Sequence, residues 1–289
     1  MKKIHGRAYA KVNLALNIGK KRPDGYHEID TIFQKITLFD EITLSPSDKI
    51  EIECNIPELN NTSNNAWKAA VILSKYAKVK EGVKIEIEKM IPLSSGLGGS
   101  STDAASVLKM LNSYWNLGLK IADIMKIAEM TGADVPFFVA NFSTARGKGK
   151  GEILRPLPSL DAYVIVVVPP VQLENKTKIM YSRFDSLNSN IPPADIPKII
   201  GALSKNDLYE MAKYTVNMFE YVLPDHIRDI VMNVKSRLLD LGFEFALMSG
   251  AGPAVFALSH NFDLVKNSAP SLKKYGTVFI GRTLKEVSI

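Results

Sequence analysis

The stretch Ile91-Pro92-Leu93-Ser94-Ser95-Gly96-Leu97-Gly98-Gly99-Ser100-Ser101-Thr102-Asp103-Ala104-Ala105 restricts the possible folds of this chain more than any other. Ahead of it, Lys84 to Met90 alternates Ile85 and Ile87 with charged residues, the period-2 pattern of a half-buried strand, which Pro92 ends. Behind it, Ala104, Val107, Leu108, Leu111 and Tyr114 with Trp115 recur at helical spacing until Asn116-Leu117-Gly118 stops the run. A strand is thus joined to a helix through glycines and hydroxyls. Such a turn leaves unpaired N–H groups at the helix start, where glycines let an anion approach and the helix dipole favours negative charge. The segment reads as a phosphate cradle or as a flexible turn capped by Ser or Thr. It lacks the Lys-Ser/Thr of a Walker A loop, and Ser101 occupies the position of the third glycine in the dinucleotide fingerprint.

With 289 residues, 46% hydrophobic and 23% charged, the chain has room for two domains with their own cores. Its net charge of +6 is spread among interleaved lysines and glutamates, which suits anionic small molecules. Nucleic-acid binding would call for an aromatic-basic motif that the sequence lacks. The single cysteine, Cys54, excludes an internal disulfide and fits a reducing compartment, and its place in an alternating strand points to packing. The longest apolar run, Ala162 to Val171 with two prolines, is too short to span a bilayer, so a cytoplasmic protein without membrane association is expected. His5, His27, His226 and His260 show no metal-ligand spacing.

Along the chain, Arg7 to Ile18 alternates a core face with a polar face carrying Tyr9, Lys11, Asn13 and Asn17, so Lys11 is expected on a solvated sheet surface. Pro23-Asp24-Gly25 is a turn into Tyr26, His27 and a strand Ile29 to Leu38, on which Phe33 points opposite to Ile32. Strands Ile42 to Leu44 and Lys49 to Cys54 then continue a meander, and a helix follows with Trp67, Ala70, Val71 and Ser74 on one face. After the cradle, a helix Ile121 to Met130 leads to Gly132-Ala133-Asp134-Val135-Pro136-Phe137, a carboxylate in an apolar setting that also suits a helix N-cap. Asn141 to Glu152 reads as a solvated basic loop or a bulged hairpin. Pro156 and Pro158 mark a boundary between domains 1–158 and 159–289. The second domain begins with a buried strand Tyr163 to Val168 and a helix from Glu174 to Phe184 that sets Thr177 and Tyr181 on one face. The helix Ile227 to Leu241, a hairpin around Ser249-Gly250-Ala251-Gly252-Pro253, a helix broken by Pro270 and a last strand complete a ferredoxin-like βαββαβ order with a helical insertion.

A phosphate cradle, a lysine on a strand and an isolated aspartate together suit phosphoryl transfer, in which the protein positions donor and acceptor and neutralises charge. Ala10-Lys11-Val12-Asn13-Leu14, Asp24-Gly25-Tyr26-His27, the Pro92 to Ala105 loop, Gly132 to Phe137 and Ser249 to Pro253 resemble, in this order, the GHMP kinase superfamily. Within it they are most similar to the branch that phosphorylates the 2-hydroxyl of 4-diphosphocytidyl-2-C-methyl-D-erythritol on the non-mevalonate route to isoprenoid precursors. The resemblance implies a two-domain α+β fold, with an N-terminal ATP-binding domain like the second domain of ribosomal protein S5 and a ferredoxin-like C-terminal domain. It implies Asp134 as general base with Lys11 as its partner. Pro92, Ser94, Ser95, Gly96, Leu97, Gly98, Gly99, Ser100, Ser101 and Thr102 would wrap ATP with Mg²⁺, whose protein ligands it does not identify. Asn13 would orient the acceptor, Tyr26, Phe33 and Tyr181 would enclose cytosine, His27 would hydrogen-bond it, and Thr177 would position the diphosphocytidyl arm. Against the family pattern, Thr102 keeps a hydroxyl where serine is usual, Ala251 and Lys176 replace serines, and Met218 replaces an aspartate. Two other readings remain: a kinase of this fold with a different alcohol acceptor, and a non-catalytic ligand sensor or nucleic-acid binder on the same scaffold.

Overall fold

The computed structural model describes residues 3–171, 175–187 and 191–285. The chain runs through β1 (Ile4–Lys21), β2 (His27–Ser45), β3 (Ile50–Cys54), α1 (Asn65–Ala77), β4 (Val83–Glu88), α2 (Gly99–Tyr114), α3 (Ile121–Thr131), α4 (Val135–Val139), β5 (Thr144–Gly149) and β6 (Ile153–Pro156). It continues through β7 (Tyr163–Val168), α5 (Lys176–Ser186), α6 (Ile196–Ser204), α7 (Leu208–Ala212), α8 (Asp225–Asp240), β8 (Ala246–Met248), β9 (Val255–Ser259), α9 (Phe262–Leu272) and β10 (Thr277–Arg282). These elements gather into two compact units interleaved in sequence.

The first unit comprises the chain up to Ala10, Leu38–Leu93 and Gly98–Phe142. Here Glu41 to Ser45 pairs antiparallel with β4, so the expected separate strand Ile42 to Leu44 is the far end of the long β2. The expected meander is likewise replaced: β3 runs parallel to β4, with Cys54 opposite Ile87. A parallel pair needs a crossover longer than a hairpin turn, and α1 supplies it. The α1 face also differs from the expected row. Ala66, Ala69, Ala70 and Leu73 are buried, and Trp67 is turned so that its indole N–H donates to the Ile50 carbonyl at 3.1 Å. Asn64 caps the helix by accepting the Ala66 N–H at 2.9 Å. α1 packs against α2, in which Ala104 and Ala105 are buried, and α3 and α4 also pack on α2.

The second unit comprises Lys11–Thr37, Ser94–Leu97 and the chain from Ser143 onward. Ile29 to Gln34 of β2 pairs antiparallel with β5, and β5 with β6. The basic segment around Arg146 is therefore a hairpin and not a solvated loop. Arg146 is fixed by a two-point ion pair with Asp30 (2.7 and 2.5 Å), and the Glu152 carboxylate accepts the Lys150 N–H at 2.6 Å. A four-stranded antiparallel sheet has the order β10-β7-β9-β8, the ferredoxin-like arrangement, with α5 to α7 inserted between β7 and α8. Ile227, Val231, Val234 and Leu238 of α8 pack with Ile165, Val167, Val255 and Ala257 of this sheet. Pro270 lies inside α9 without breaking it, because it stands in the last turn, where one missing N–H interrupts little of the ladder.

The largest departure from expectation lies on β1. Lys11 and Asn13 are 4% and 1% exposed, although alternation put them on an open face. The loop around Gly250 packs onto that face, and the segment 215–217 bonds to the backbone of β1 beyond it. Leu16 N–H donates to Val216 O at 2.8 Å, Thr215 Oγ1 donates to Leu14 O at 2.5 Å, and Asn17 exchanges bonds with the Ala194 backbone.

Candidate active site

In the second unit, two glycine-rich loops are fastened to each other and to β1. Ser249 Oγ donates to Gly96 O at 3.0 Å, Ala254 N–H to Ser95 O at 3.0 Å, and Lys11 N–H to Leu97 O at 2.9 Å. Gly96 has φ of +89°, and a Cβ there would lie 2.0 Å from Ser249 O, so both conformation and space require glycine. Asn217 holds the second loop from behind, its Nδ2 donating to Met248 O (2.7 Å) and Gly250 O (2.8 Å). Beneath these loops Lys11 Nζ donates to Asn13 Oδ1 at 2.6 Å. Asn13 Nδ2 donates to Thr31 Oγ1 at 2.8 Å, and Thr31 donates onward to Ala15 O at 2.6 Å. This relay fixes the orientation of the Asn13 amide. A Cβ on Gly250 would stand 3.3 Å from Lys11 Nζ and 3.4 Å from Asn13 Oδ1, which shows how tightly the second loop covers these side chains.

Lys176, at the start of α5, reaches the same place. Its ammonium donates to Ser94 O at 2.6 Å and to Gly252 O. Burial, and then the like charge of Lys11, pull it down to about 8. Of the other departures from the family pattern, Met218 offers its sulfur to the Ile18 N–H at 3.0 Å, and Ala251 is half-buried against the core of the second unit.

The cytosine candidates also lie in the second unit. His27 is buried, stacks face to face on Tyr181 (centroids 4.6 Å apart, planes at 7°), and its Nε2 lies 2.7 Å from Asp185 Oδ1. That hydrogen bond holds the Asp185 carboxyl below its ordinary range. Tyr26 is 54% exposed with Lys150 Nζ 4.8 Å from its ring centroid, whereas Phe33 is buried with Lys11 Nζ 5.5 Å from its ring. Thr177 is exposed on α5, one turn before Tyr181.

In the first unit the cradle continues into α2. Gly98 takes a positive φ (77°), as Ser94 and Gly96 do in the second unit (51° and 89°), and no side chain caps the N-terminus of α2. Ser100 accepts Asn65 Nδ2 at 2.7 Å, while Ser101 is half-buried and Thr102 buried. Pro92 is half-buried at the entry. Asp134 occupies the N-cap position of α4 with Pro136 in the first turn, but its side chain does not cap that helix. The structure therefore gathers Lys11, Asn13, Ser95, Gly96 and Leu97 with the second loop in one unit, and Gly98 to Thr102 and Asp134 in the other.

Sequence reasoning missed a buried ionic cluster in the first unit. Lys89 Nζ donates to Asp40 Oδ2 at 2.5 Å and to Asp103 Oδ2 at 2.6 Å, and Asp40 Oδ1 accepts the N–H groups of Met90 and Ile91 (2.6 and 2.7 Å). The cluster thus joins the strand entering the cradle to the helix leaving it. Burial pulls the Lys89 ammonium down, but Asp103 and Asp40 outweigh it and the net shift is upward. The Asp103 carboxyl is also raised, by burial first, and its Oδ1 has no hydrogen-bond partner. The only sequence signal was a lysine at the end of an alternating strand, a position that is ordinarily solvated. Among the described residues no group of three or more His, Cys, Asp or Glu is arranged to hold a metal, and no helix is long and apolar enough to cross a membrane.

Known proteins share this architecture. The family described as "GHMP kinases N terminal domain" matches residues 64–141. A 4-diphosphocytidyl-2-C-methyl-D-erythritol kinase of Lachnoclostridium phytofermentans is 38% identical over 259 residues, covering 88% of this chain and 87% of the relative. Its namesake from Thermoanaerobacter pseudethanolicus is 34% identical over 286 residues, covering 98% and 97%. A crystal structure of 4-(cytidine 5'-diphospho)-2C-methyl-D-erythritol kinase aligns with a TM-score of 0.81 at 29% identity, covering 97% of this chain and 99% of the other. A homoserine kinase from Cytophaga hutchinsonii aligns with a TM-score of 0.72 at 18% identity, covering 99% and 97%, a likeness of fold.

Proposed function

Because the chain belongs to the GHMP kinases, and among them to the 4-diphosphocytidyl-2-C-methyl-D-erythritol kinases, we propose that it transfers the terminal phosphoryl group of ATP to the 2-hydroxyl of that cytidyl alcohol in isoprenoid precursor synthesis. In this reading Asp134 takes the hydroxyl proton as the acceptor oxygen forms its bond to the terminal phosphorus. The bond to the β-phosphate oxygen breaks, and ADP leaves with that electron pair. Lys11 supplies a positive charge for the transfer as the partner of that base, and Asn13, locked by Thr31, orients the acceptor. Pro92 and Ser94 to Thr102 cradle ATP. Mg²⁺, whose protein ligands the reading leaves open, would be held together with the nucleotide phosphates and would spread their negative charge. Tyr26, Phe33 and Tyr181 enclose the cytosine, with stacking worth about 1–3 kcal/mol per base in comparable systems. His27 bonds the cytosine through the ring nitrogen that Asp185 does not hold, and Thr177 positions the diphosphate arm. The ATP-binding domain extends through residue 158 and the C-terminal domain covers 159–289. The protein works in the cytoplasm on small molecules, without nucleic acid or membrane.

The observation that carries the reading is the pair Lys11 and Asn13, two polar side chains buried on a strand beneath the backbone of two glycine loops. Taking such groups out of water is costly, so they mark a site and not ordinary core packing. The test is ADP release by the purified protein offered 4-diphosphocytidyl-2-C-methyl-D-erythritol beside mevalonate, homoserine and galactose. Preferred turnover of the cytidyl alcohol is expected, and preference for another acceptor overturns the reading. Asp134→Ala is expected to lower kcat by about 10²–10⁴; an unchanged kcat would remove Asp134 from the chemistry.

A further inference from the structure

Lys176 is a half-buried cation that meets no anion among the described residues. Two of its three N–H donors are spent on backbone carbonyls, Ser94 O at 2.6 Å and Gly252 O, and among the described residues no carboxylate pairs with it. The charged group set against it is another ammonium, Lys11 of β1, while the two loops that hold it present backbone carbonyls. Desolvating a charge beside a like charge is unfavourable unless a counter-charge arrives. Elsewhere the same chain meets this need fully: Lys89 lies between two carboxylates. The carbonyls that grip Lys176 belong to the two glycine-rich loops, one of them the cradle, and no side chain caps α5, which begins at Lys176 and adds the positive end of its dipole.

We propose that Lys176 binds a phosphate oxygen of the substrates with its remaining N–H, completing a seat formed by its ammonium, Lys11 and the two glycine loops. The ligand class is a phosphate oxyanion, and two sources carry it: the terminal phosphate of ATP and the diphosphate of the cytidyl acceptor. Burial and Lys11 leave the ammonium titrating at about 8 before the ligand enters, so the seat is charged near neutrality and loses its charge in mild alkali. The proposal rests on the phosphotransfer reading for the role of the loops, and binding is therefore the readout.

The experiment is calorimetric titration of the full chain and its Lys176→Gln and Lys176→Arg variants with β,γ-imido-ATP, ADP, CDP and cytidine. Glutamine keeps N–H donors for the two carbonyls and removes the charge, which separates a loop clasp from a phosphate ligand. The Gln variant is expected to lose tenfold or more in affinity for imido-ATP but not ADP if the terminal phosphate is gripped, or for CDP but not cytidine if the diphosphate is. Arginine is expected to restore most of the loss. Affinities within twofold of the parent for all four ligands overturn the proposal. Should the Gln variant not fold, the unmodified protein answers instead. Affinity for the gripped ligand is expected to fall about tenfold per pH unit above about 8 while cytidine affinity stays level, and the Arg variant, permanently charged, is expected to lack that fall, which excludes Lys11 as its origin. A flat profile in the unmodified protein overturns the proposal. Lys176-dependent phosphate binding without turnover of the cytidyl alcohol defeats the phosphotransfer reading alone; turnover with unaltered binding in Lys176→Gln defeats this inference alone.

Discussion

Each unit sets a lysine ammonium against the cradle segment, Lys89 buried and Lys176 half-buried, and the two are treated in opposite ways. In the first unit Lys89 is enclosed by Asp40 and Asp103, and the Asp40 carboxylate also accepts two backbone N–H groups, so the cation ties the entry of the cradle to the start of α2. In the second unit Lys176 donates to two carbonyls, pairs with no carboxylate among the described residues, and feels the like charge of Lys11. The difference separates structure from readiness. A strut is paired within the chain, whereas a group intended for a ligand keeps part of its electrostatic demand unmet until the ligand arrives.

The sharpest way to break this contrast is to delete both charges. Lys89→Met strands two buried carboxylates and is expected to lower stability by about 3–5 kcal/mol in urea unfolding. Equal losses from Lys89→Met and Lys176→Met would abolish the distinction. Next in size, Lys176→Gln is expected to stabilise the ligand-free protein by about 1–3 kcal/mol at pH 7, since the downward shift of this ammonium opposes folding wherever it is charged. The sign follows from proton counting. A lysine whose folded value lies below its unfolded one binds fewer protons when folded, so stability rises as pH climbs from about 8 toward the ordinary lysine range, and the Gln variant should lack that rise. The smallest effect belongs to Asp103. Its raised carboxyl binds more protons when folded, so its contribution is full in acid and fades as pH rises past the ordinary carboxylate range. Asp103→Asn is expected to flatten that decline by about 1 kcal/mol, read as the urea midpoint from pH 4 to 8.

Much of the architecture was legible from periodicity. The α2 face Ala104, Val107, Leu108, Leu111 and the α8 face Ile227, Val231, Val234, Leu238 are buried as their spacing predicts. The βαββαβ order also matches the strand order β10-β7-β9-β8. The errors have a common origin. Alternation reports which side chains share a face and is silent on what covers that face, so Lys11 and Asn13 read as solvated although the second glycine loop encloses them. Strand partners escaped for the same reason, since β3 chose β4 in parallel through the α1 crossover and not a meander neighbour.

The linear chain by itself determined the strand–glycine loop–helix unit, because left-handed φ at Gly96 and Gly98 and an open helix start depend on residue type and local spacing. It also determined the family resemblance, because those motifs are short and ordered. Only the folded chain decided which charges are satisfied. Lys89 meets Asp40 across 49 residues and Lys176 meets Ser94 across 82, and an electrostatic balance set by partners so distant has no imprint on any window of sequence.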